Sequence, residues 1–320
     1  MNKKISRRSF VAKSTLAGSA ALVGVPLFSQ KSSLFLEKEN DLDIHVFSKH
    51  LQFLTYKDMA DAAAEIGFNG IDLSVRPNGH VIPEKVTEDL PKAIACIKKA
   101  GFAPKLMTTA IKFASALYTK DILETAAKEG ITCYRLGYYG YPKQKTIPDG
   151  LIEINTELKA LAQLNKKLNI KGAYQNHEGM RVGASIWEIW DMLKGVDKDF
   201  MGCQYDVRHA TVEGARSWPR GLELIAPKIN TIVLKDFKWE LKNGRWEILN
   251  TPMGEGMVDF KRYFKILKKY RINVPVSMHY EYDLGGAEHG NKNIKIPQKE
   301  IFTAMKKDLK YVRDLWKQTL

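Results

Sequence analysis

From residue 42 onward, short apolar runs alternate with amphipathic stretches of helical period. The runs predict strands at Asp43–Phe47, Gly70–Val75, Ala103–Thr108, Cys133–Tyr138, Ile170–Gln175, Gly202–Asp206, Thr231–Leu234 and Val274–Tyr280. Helical patterns separate them. Leu151, Ile154, Leu158, Leu161, Leu164 and Leu168 recur every three or four residues, and Ile301, Met305, Leu309, Val312 and Trp316 form a second stripe. Ser185 followed by Glu188 has the form of a capping box opening a helix with Trp187, Trp190 and Leu193. Such alternation predicts a parallel sheet. Eight repeats suit a single-domain α/β fold, a closed (β/α)₈ TIM barrel, better than an open doubly wound sheet. No G-x-G-x-x-G follows the first strand, which argues against a dinucleotide fold. One segment breaks the pattern: Trp239–Trp246 centres on Asn243-Gly244, the signature of a two-residue hairpin turn. This insertion, near 239–248, follows strand seven and predicts a lid or side wall on the face where barrel sites form.

Composition adds limits. The 320 residues are 44% apolar and 27% charged, which supplies a sizeable core and excludes disordered, collagen-like and disulfide-scaffold classes. Cys96, Cys133 and Cys203 are isolated, so no C-x-x-C site exists. The net charge is +14, but Lys3, Lys4, Arg7, Arg8 and Lys13 fall in the first thirty residues, where there is no acid. Removing them leaves +9, scattered along helix surfaces, so no nucleic-acid partner is expected. The apolar stretch Leu16–Phe28 is too short and too weakly apolar to span a membrane. The run Ser6-Arg7-Arg8-Ser9-Phe10-Val11, with Lys13, resembles a twin-arginine export signal. That resemblance implies a periplasmic, exported protein that folds before crossing the membrane. It gives a signal at 1–30, a linker at 31–41 and the barrel at 42–320.

In a barrel of this kind, chemistry sits at the C-terminal strand ends and in the loops after them. Of seven histidines, His45 lies inside the first predicted strand. His50 and His80 follow strands one and two, His177 and His209 end strands five and six, His279 lies on strand eight, and His289 follows it. Period two puts Gln175 with His177, and His279 with Glu281, on common faces. Asp206, Glu281, Gln175 and His279 could hold a divalent cation (Mn, Zn, Co or Mg) with open positions for substrate oxygens. The alternative is a hydrogen-bonded plug of the barrel end. Lys235, Arg76, Arg135 and Arg208 are candidate anion or hydroxyl contacts, or rim ion pairs with Asp236 and Glu178. The glycine-rich Leu284–Gly290 segment is either a phosphate loop or a connection without a ligand.

The motifs GFNGIDL (67–73), VRPNGHV (75–81), QNHEG (175–179), YDVRHA (205–210), VLKDF (233–237), GEGMVDF (254–260) and SMHYEY (277–282) follow in order. With them the chain resembles the xylose-isomerase-like barrel superfamily of sugar phosphate isomerases and epimerases. The resemblance implies metal ligands at Asp206 and Glu281 and substrate contact through His209; His80 and His289, by their places after strands two and eight, are further candidate substrate contacts. It also implies a Glu where Gln175 stands and a His where Val233 stands. A glutamine can lend an oxygen to a metal but cannot act as a base, and a valine can do neither. The family's epimerases use two glutamates, one removing a proton beside a carbonyl and one returning it. Here Glu281 keeps its place, and His177, Glu178 or His279 would supply the partner, or the reaction needs none; Lys235 is a candidate for binding an enediolate or a phosphate. The expected function is therefore an exported, divalent-metal-dependent isomerase or epimerase acting on a small-molecule sugar. Two alternatives are a lyase, dehydratase or hydrolase on a keto-sugar, and a non-catalytic periplasmic carbohydrate-binding protein. Too few ligands remain for an endonuclease-like cluster. The oligomeric state is left open, a homo-oligomer included.

Overall fold

The computed structural model describes residues 41–319. The expected export signal and all of the linker but Asp41 lie outside the described residues. Strands β1 (Ile44–Phe47), β2 (Gly70–Val75), β3 (Leu106–Thr109), β4 (Cys133–Arg135), β5 (Lys171–Gln175), β6 (Met201–Asp206) and β7 (Ile229–Leu234) run parallel. A hairpin of β8 (Asp236–Lys242) and β9 (Arg245–Thr251) follows, and β10 (Val276–Met278) then closes the barrel between β7 and β1. Outside lie α1 (Tyr56–Ile66), α2 (Val86–Lys99), α3 (Thr119–Glu129), α4 (Ile147–Leu168) and α5 (Ile186–Met192). The ring continues with α6 (Val207–Gly214), α7 (Trp218–Ile225), α8 (Phe260–Lys269) and α9 (Gln298–Gln318). The fold is the expected closed (β/α)₈ barrel.

The predicted strand ends are less accurate. β4 and β10 stop at Arg135 and Met278, short of the expected Tyr138 and Tyr280, because the backbone beyond them bonds elsewhere. Gly137 N donates to Ile111 O at 2.7 Å, and Tyr280 N donates to the His50 imidazole at 3.0 Å. Period two therefore does not carry as far as His177, His279 or Glu281, which sit on loops. At α5 only half of the capping box forms. Ser185 Oγ accepts from Trp187 N at 3.3 Å, but the Glu188 carboxylate bonds Gly183 N (2.8 Å) and Tyr141 Oη (2.5 Å). Trp187 points outward and is 57% exposed.

Alternation along the strands creates two unlike faces. Outward residues such as Val46, Leu73, Tyr134, Tyr205 and Leu234 pack with Leu158, Leu161, Met305 and Leu309 of the helices in one apolar cluster. The inward residues are largely polar and bond across the barrel. Asp72 on β2 accepts from Thr108 on β3 (3.0 Å) and from Ser277 on β10 (2.6 Å), and Gln204 on β6 donates to Thr231 on β7 (2.9 Å). The interior thus carries hydrogen bonds where barrels more often stack branched apolar side chains.

The hairpin forms as expected, with Lys242 opposite Arg245 and with Asn243 and Gly244 both at positive φ (51° and 76°), as a type I′ turn requires. Its tip is exposed. Its root is held by the Asp236 carboxylate, which accepts from the backbone N–H of Phe237, Gly254, Gly256 and Val258 at 2.8–3.2 Å. A Cβ at Gly256 would fall 2.2 Å from that carboxylate, which accounts for the second glycine of GEGMVDF. Asp236 is thereby committed to the loop and is not a rim partner for the arginines.

Close packing of β6 on its neighbour generates a test. A Cβ on Gly202 would meet the Lys228 carbonyl at 2.3 Å, whereas one on Gly140 meets nothing within 4 Å. Gly202→Ala should therefore cost about 1–3 kcal/mol by overpacking against backbone. Gly140→Ala should stay within about 0.5 kcal/mol. Urea titration of both variants checks the pair, and equal midpoints would contradict the packing described.

Candidate active site

Asp206 ends β6 with no exposed surface, so each carboxylate oxygen needs donors. One oxygen caps α6, accepting from Arg208 N and His209 N at 3.1 Å each. The other accepts the Gln175 side-chain amide at 2.8 Å and lies 3.3 Å from the Lys235 ammonium. Gln175 must turn its NH₂ toward the carboxylate, which leaves its carbonyl oxygen to accept Tyr138 Oη at 2.5 Å. Lys235 Nζ also donates to His209 Nε2 at 2.8 Å. An ammonium only donates, so Nε2 is bare and the His209 proton sits on Nδ1, facing Glu178. Glu178 in turn pairs with Arg208 at 2.5 Å, and Arg208 donates to Asn250 of β9 at 2.6 Å. The Asn250 amide reaches the Glu281 carbonyl oxygen at 3.3 Å, so the hairpin joins the network.

The opposite wall is built by β10 and β1. His279 bonds Ser277 Oγ at 3.1 Å, and because that hydroxyl donates to Asp72, the imidazole proton lies on Nε2. His279 Nδ1 lies 3.8 Å from Glu281, whose carboxylate is paired with Lys49 at 3.2 Å. The His279 ring stacks on Phe47 at 4.6 Å.

Between the walls lies an open cavity of about 210 Å³ at the C-terminal strand ends, lined by Gln175, His177, Lys235, His279, Glu281, Arg76 and Arg135 from the predicted set. Asp206, Glu178, His209 and Arg208 stand behind this surface and orient it. Two predicted contacts are not brought in. His80 bonds the Ser48 hydroxyl at 3.1 Å away from the cavity, and His289 is exposed and pairs with Glu288 at 3.3 Å. The Leu284–Gly290 loop spends its donors internally, Leu284 N and Gly286 N both bonding Glu288 at 2.9 Å. His50 serves structure, bonding Tyr280 N and Ala287 O, and His45 pairs with Asp43 at 3.2 Å low in the barrel. Phe47, Lys49, Tyr138 and Arg181 also line the cavity and were not singled out from the sequence. The signal was available, since Phe47, Lys49 and Tyr138 fall at or just beyond strand ends.

The electrostatics are uneven. Burial alone would raise the Glu281 carboxyl, but Lys235 and Lys49 outweigh it and hold it at about 2. Burial, aided by Lys235 and Arg181, pushes His177 down to about 3. Burial also drives His209 and His279 well below the usual imidazole range, with Lys235 adding to each. The carboxylate is therefore charged and the three imidazoles neutral at neutral pH.

The donor set gives a mixed answer for a divalent cation. Asp206 and Glu281 do not share a centre, because each already faces a lysine. Gln175 offers Asp206 an N–H, and Val233 stands in register with Asp206 as an apolar neighbour. The Lys235 ammonium occupies the carboxylate position that a cation would need. His177, Glu178 and His209 do gather three ligand atoms within 4.8 Å of one another, with Arg208 paired to Glu178 and Lys235 bonded to His209.

Comparison with known proteins agrees with this architecture. A D-psicose 3-epimerase from Clostridium cellulolyticum H10, solved with D-tagatose, has TM-score 0.65 and 12% identity, covering 86% of this chain and 99% of that one. A probable 3-DHS dehydratase from Bacillus anthracis gives 0.63 and 14%, over 84% and 99%. A xylose isomerase-like barrel from Mycobacterium smegmatis, in complex with magnesium, gives 0.61 and 11%, over 85% and 99%. No curated protein matches the sequence. The xylose isomerase-like TIM-barrel family matches residues 60–301, and the chain belongs to it.

Proposed function

We propose that the protein is an enzyme of proton transfer beside a carbonyl, acting on a sugar or sugar derivative as an isomerase or epimerase. The observation that carries this reading is a charged carboxylate, Glu281, and a neutral imidazole, His177, lining one cavity with the Lys235 ammonium. One of the two bases takes the proton from the carbon next to the carbonyl. Lys235, held by Asp206 and His209, hydrogen-bonds the enolate oxygen that forms. Return of a proton to the opposite face gives the epimer. Loss of a β-hydroxyl as water gives a dehydratase outcome on the same intermediate, which fits the dehydratase among the structural neighbours. Lys235 supplies the positive charge at the position a metal has in the resemblance. A second reading, favoured by the gathered His177, Glu178 and His209 donors, is a divalent cation at that group. The resemblance of Ser6–Val11 to a twin-arginine signal supports a periplasmic site of action.

Three outcomes test these readings. In D₂O with keto and aldo sugars, NMR should show solvent deuterium entering beside the carbonyl. Glu281→Gln should slow that exchange by roughly 10²–10⁴-fold, and Lys235→Met by roughly 10²–10³-fold. Full exchange in Glu281→Gln would remove Glu281 from the mechanism.

The pH profile follows from the two bases. Both are lowered, to about 2 and about 3, so both lose activity only when protonated, as pH falls through those values. The exchange rate should show no acid limb between pH 5 and pH 8. A limb near the ordinary histidine value, about 6.5, would contradict the neutral buried His177.

Elemental analysis separates the two cation readings. The Lys235 reading expects no stoichiometric Mn, Zn, Co or Mg and exchange unaffected by EDTA. One equivalent of metal, lost in His177→Ala, would favour the His177–Glu178–His209 centre.

A further inference from the structure

The cavity's charge is far from balanced. Five cations line it, Lys49, Arg76, Arg135, Arg181 and Lys235, and Glu281 is the one carboxylate among its lining residues. Lys49 is matched by Glu281, and Lys235 by Asp206 just behind the wall. The three arginines are different. Among the described residues, none of them has a carboxylate within ion-pair distance. Each is instead held by an aromatic face. The Arg76 guanidinium lies 5.3 Å from the Phe47 ring centroid, and those of Arg135 and Arg181 lie 4.8 and 4.5 Å from the Tyr138 centroid. Stacking fixes a guanidinium while leaving its N–H edge free to meet a planar or tetrahedral oxyanion. Arg135 is the clearest case. It is 5% exposed, its buried Nε has no hydrogen-bond partner, and among the described residues its guanidinium makes a single long 3.4 Å contact, with Thr109 O. A buried guanidinium left this way awaits a counter-charge. Asp72, a buried acid close enough to feel its charge, is taken by Thr108 and Ser277.

We infer that the substrate is anionic: a sugar derivative bearing a carboxylate, sulfate or phosphate group, which the edges of Arg76, Arg135 and Arg181 bind. This rests on the cavity being the active site proposed above and names the class of its substrate. The cavity of about 210 Å³ has room for a single sugar unit, and a second cavity of about 550 Å³ adjoins it, sharing Arg76, Arg135, Tyr138 and Arg181. Charge-assisted and bidentate bonds from arginine are the usual way such groups are fixed in register. Tyr138, anchored by Gln175, would set the spacing of two of the three.

The test is binding of glucose, glucuronate, glucose 6-sulfate and glucose 6-phosphate to the purified protein by calorimetry at two salt concentrations. At least one anion should bind ten-fold or more tighter than glucose and weaken as NaCl rises, and which anion does so identifies the group. Arg181 is exposed at the mouth, so Arg181→Gln should leave the melting temperature unchanged while reducing that preference about ten-fold. Arg76→Gln is the second variant. Equal binding of glucose and all three anions, or no binding by any of them, overturns the inference, as does an unchanged preference in both variants. Deuterium exchange keeps the two ideas apart. Anion-selective binding without exchange sinks the proton-transfer reading alone, and exchange on neutral sugars without anion preference sinks this one alone.

Discussion

A fully buried carboxylate must be met by donors on every side, and Asp206 imposes that requirement on the whole site. Its two oxygens draw in the start of α6, the end of β5 and the residue after β7. What these partners can do next is then restricted by their own chemistry. Gln175 has given its N–H groups to Asp206, so its oxygen faces Tyr138, and Tyr138 becomes the plate on which Arg135 and Arg181 stack. Lys235 can only donate, so it fixes the tautomer of His209, which turns the Nδ1–H toward Glu178, and Glu178 in turn pairs with Arg208. One desolvated charge thus orients the catalytic candidates on one side and the arginine platform on the other.

The same logic explains why the lysines and histidines carry different charges in one small space. Burial disfavours every ionised group, and for an imidazole nearby cations add to it. At His177, His209 and His279 burial together with Lys235 prevails even though Glu178, Asp206 or Glu281 lies close, so they stay neutral and act as hydrogen-bonding groups. Glu281 has Lys49 and Lys235 nearby, so its charged form survives burial. A polar barrel interior is the support for this arrangement. The Asp72–Thr108–Ser277 bonds hold His279 in one tautomer from below, a task that a stack of branched apolar side chains could not perform.

The barrel was legible because its two periodicities, two for strands and 3.6 for helices, are local properties of the chain. The last helix shows this well: Ile301, Met305, Leu309 and Val312 are all buried as their spacing requires. The membership of the site was also largely legible, since strand ends in a barrel are known in advance to face one mouth. Its wiring was not. Whether Glu281 shares a centre with Asp206 depends on Lys49, which lies 232 residues before Glu281 in the chain and becomes its neighbour only when β10 closes against β1. His80 and His289 were misplaced for a related reason: a residue in a loop can be assigned to a rim by order, but the direction of its side chain depends on turns of the loop. Lys49 and Arg181 escaped notice because neither belongs to a motif, though charge is what they bring.

The hairpin shows how an insertion becomes part of chemistry that it does not perform. Its tip, including Trp246 and Leu241, is exposed and contributes little to the core. Its return strand nevertheless carries Asn250, which accepts from Arg208 and donates to the Glu281 carbonyl oxygen. Arg208 faces Phe237 at the root of the same hairpin, at 5.3 Å, and Asp236 ties that root to the loop at Gly254–Val258. The loop that holds Glu281 is therefore braced by a chain running through Arg208 back to Glu178 and His209, across the cavity from it. Glu281 owes its charge to Lys49 and Lys235, but its position owes as much to β9. Bracing a base from a rigid two-stranded element, with donors and acceptors matched at each step, is the arrangement expected where a loop residue must be held as firmly as one on a strand.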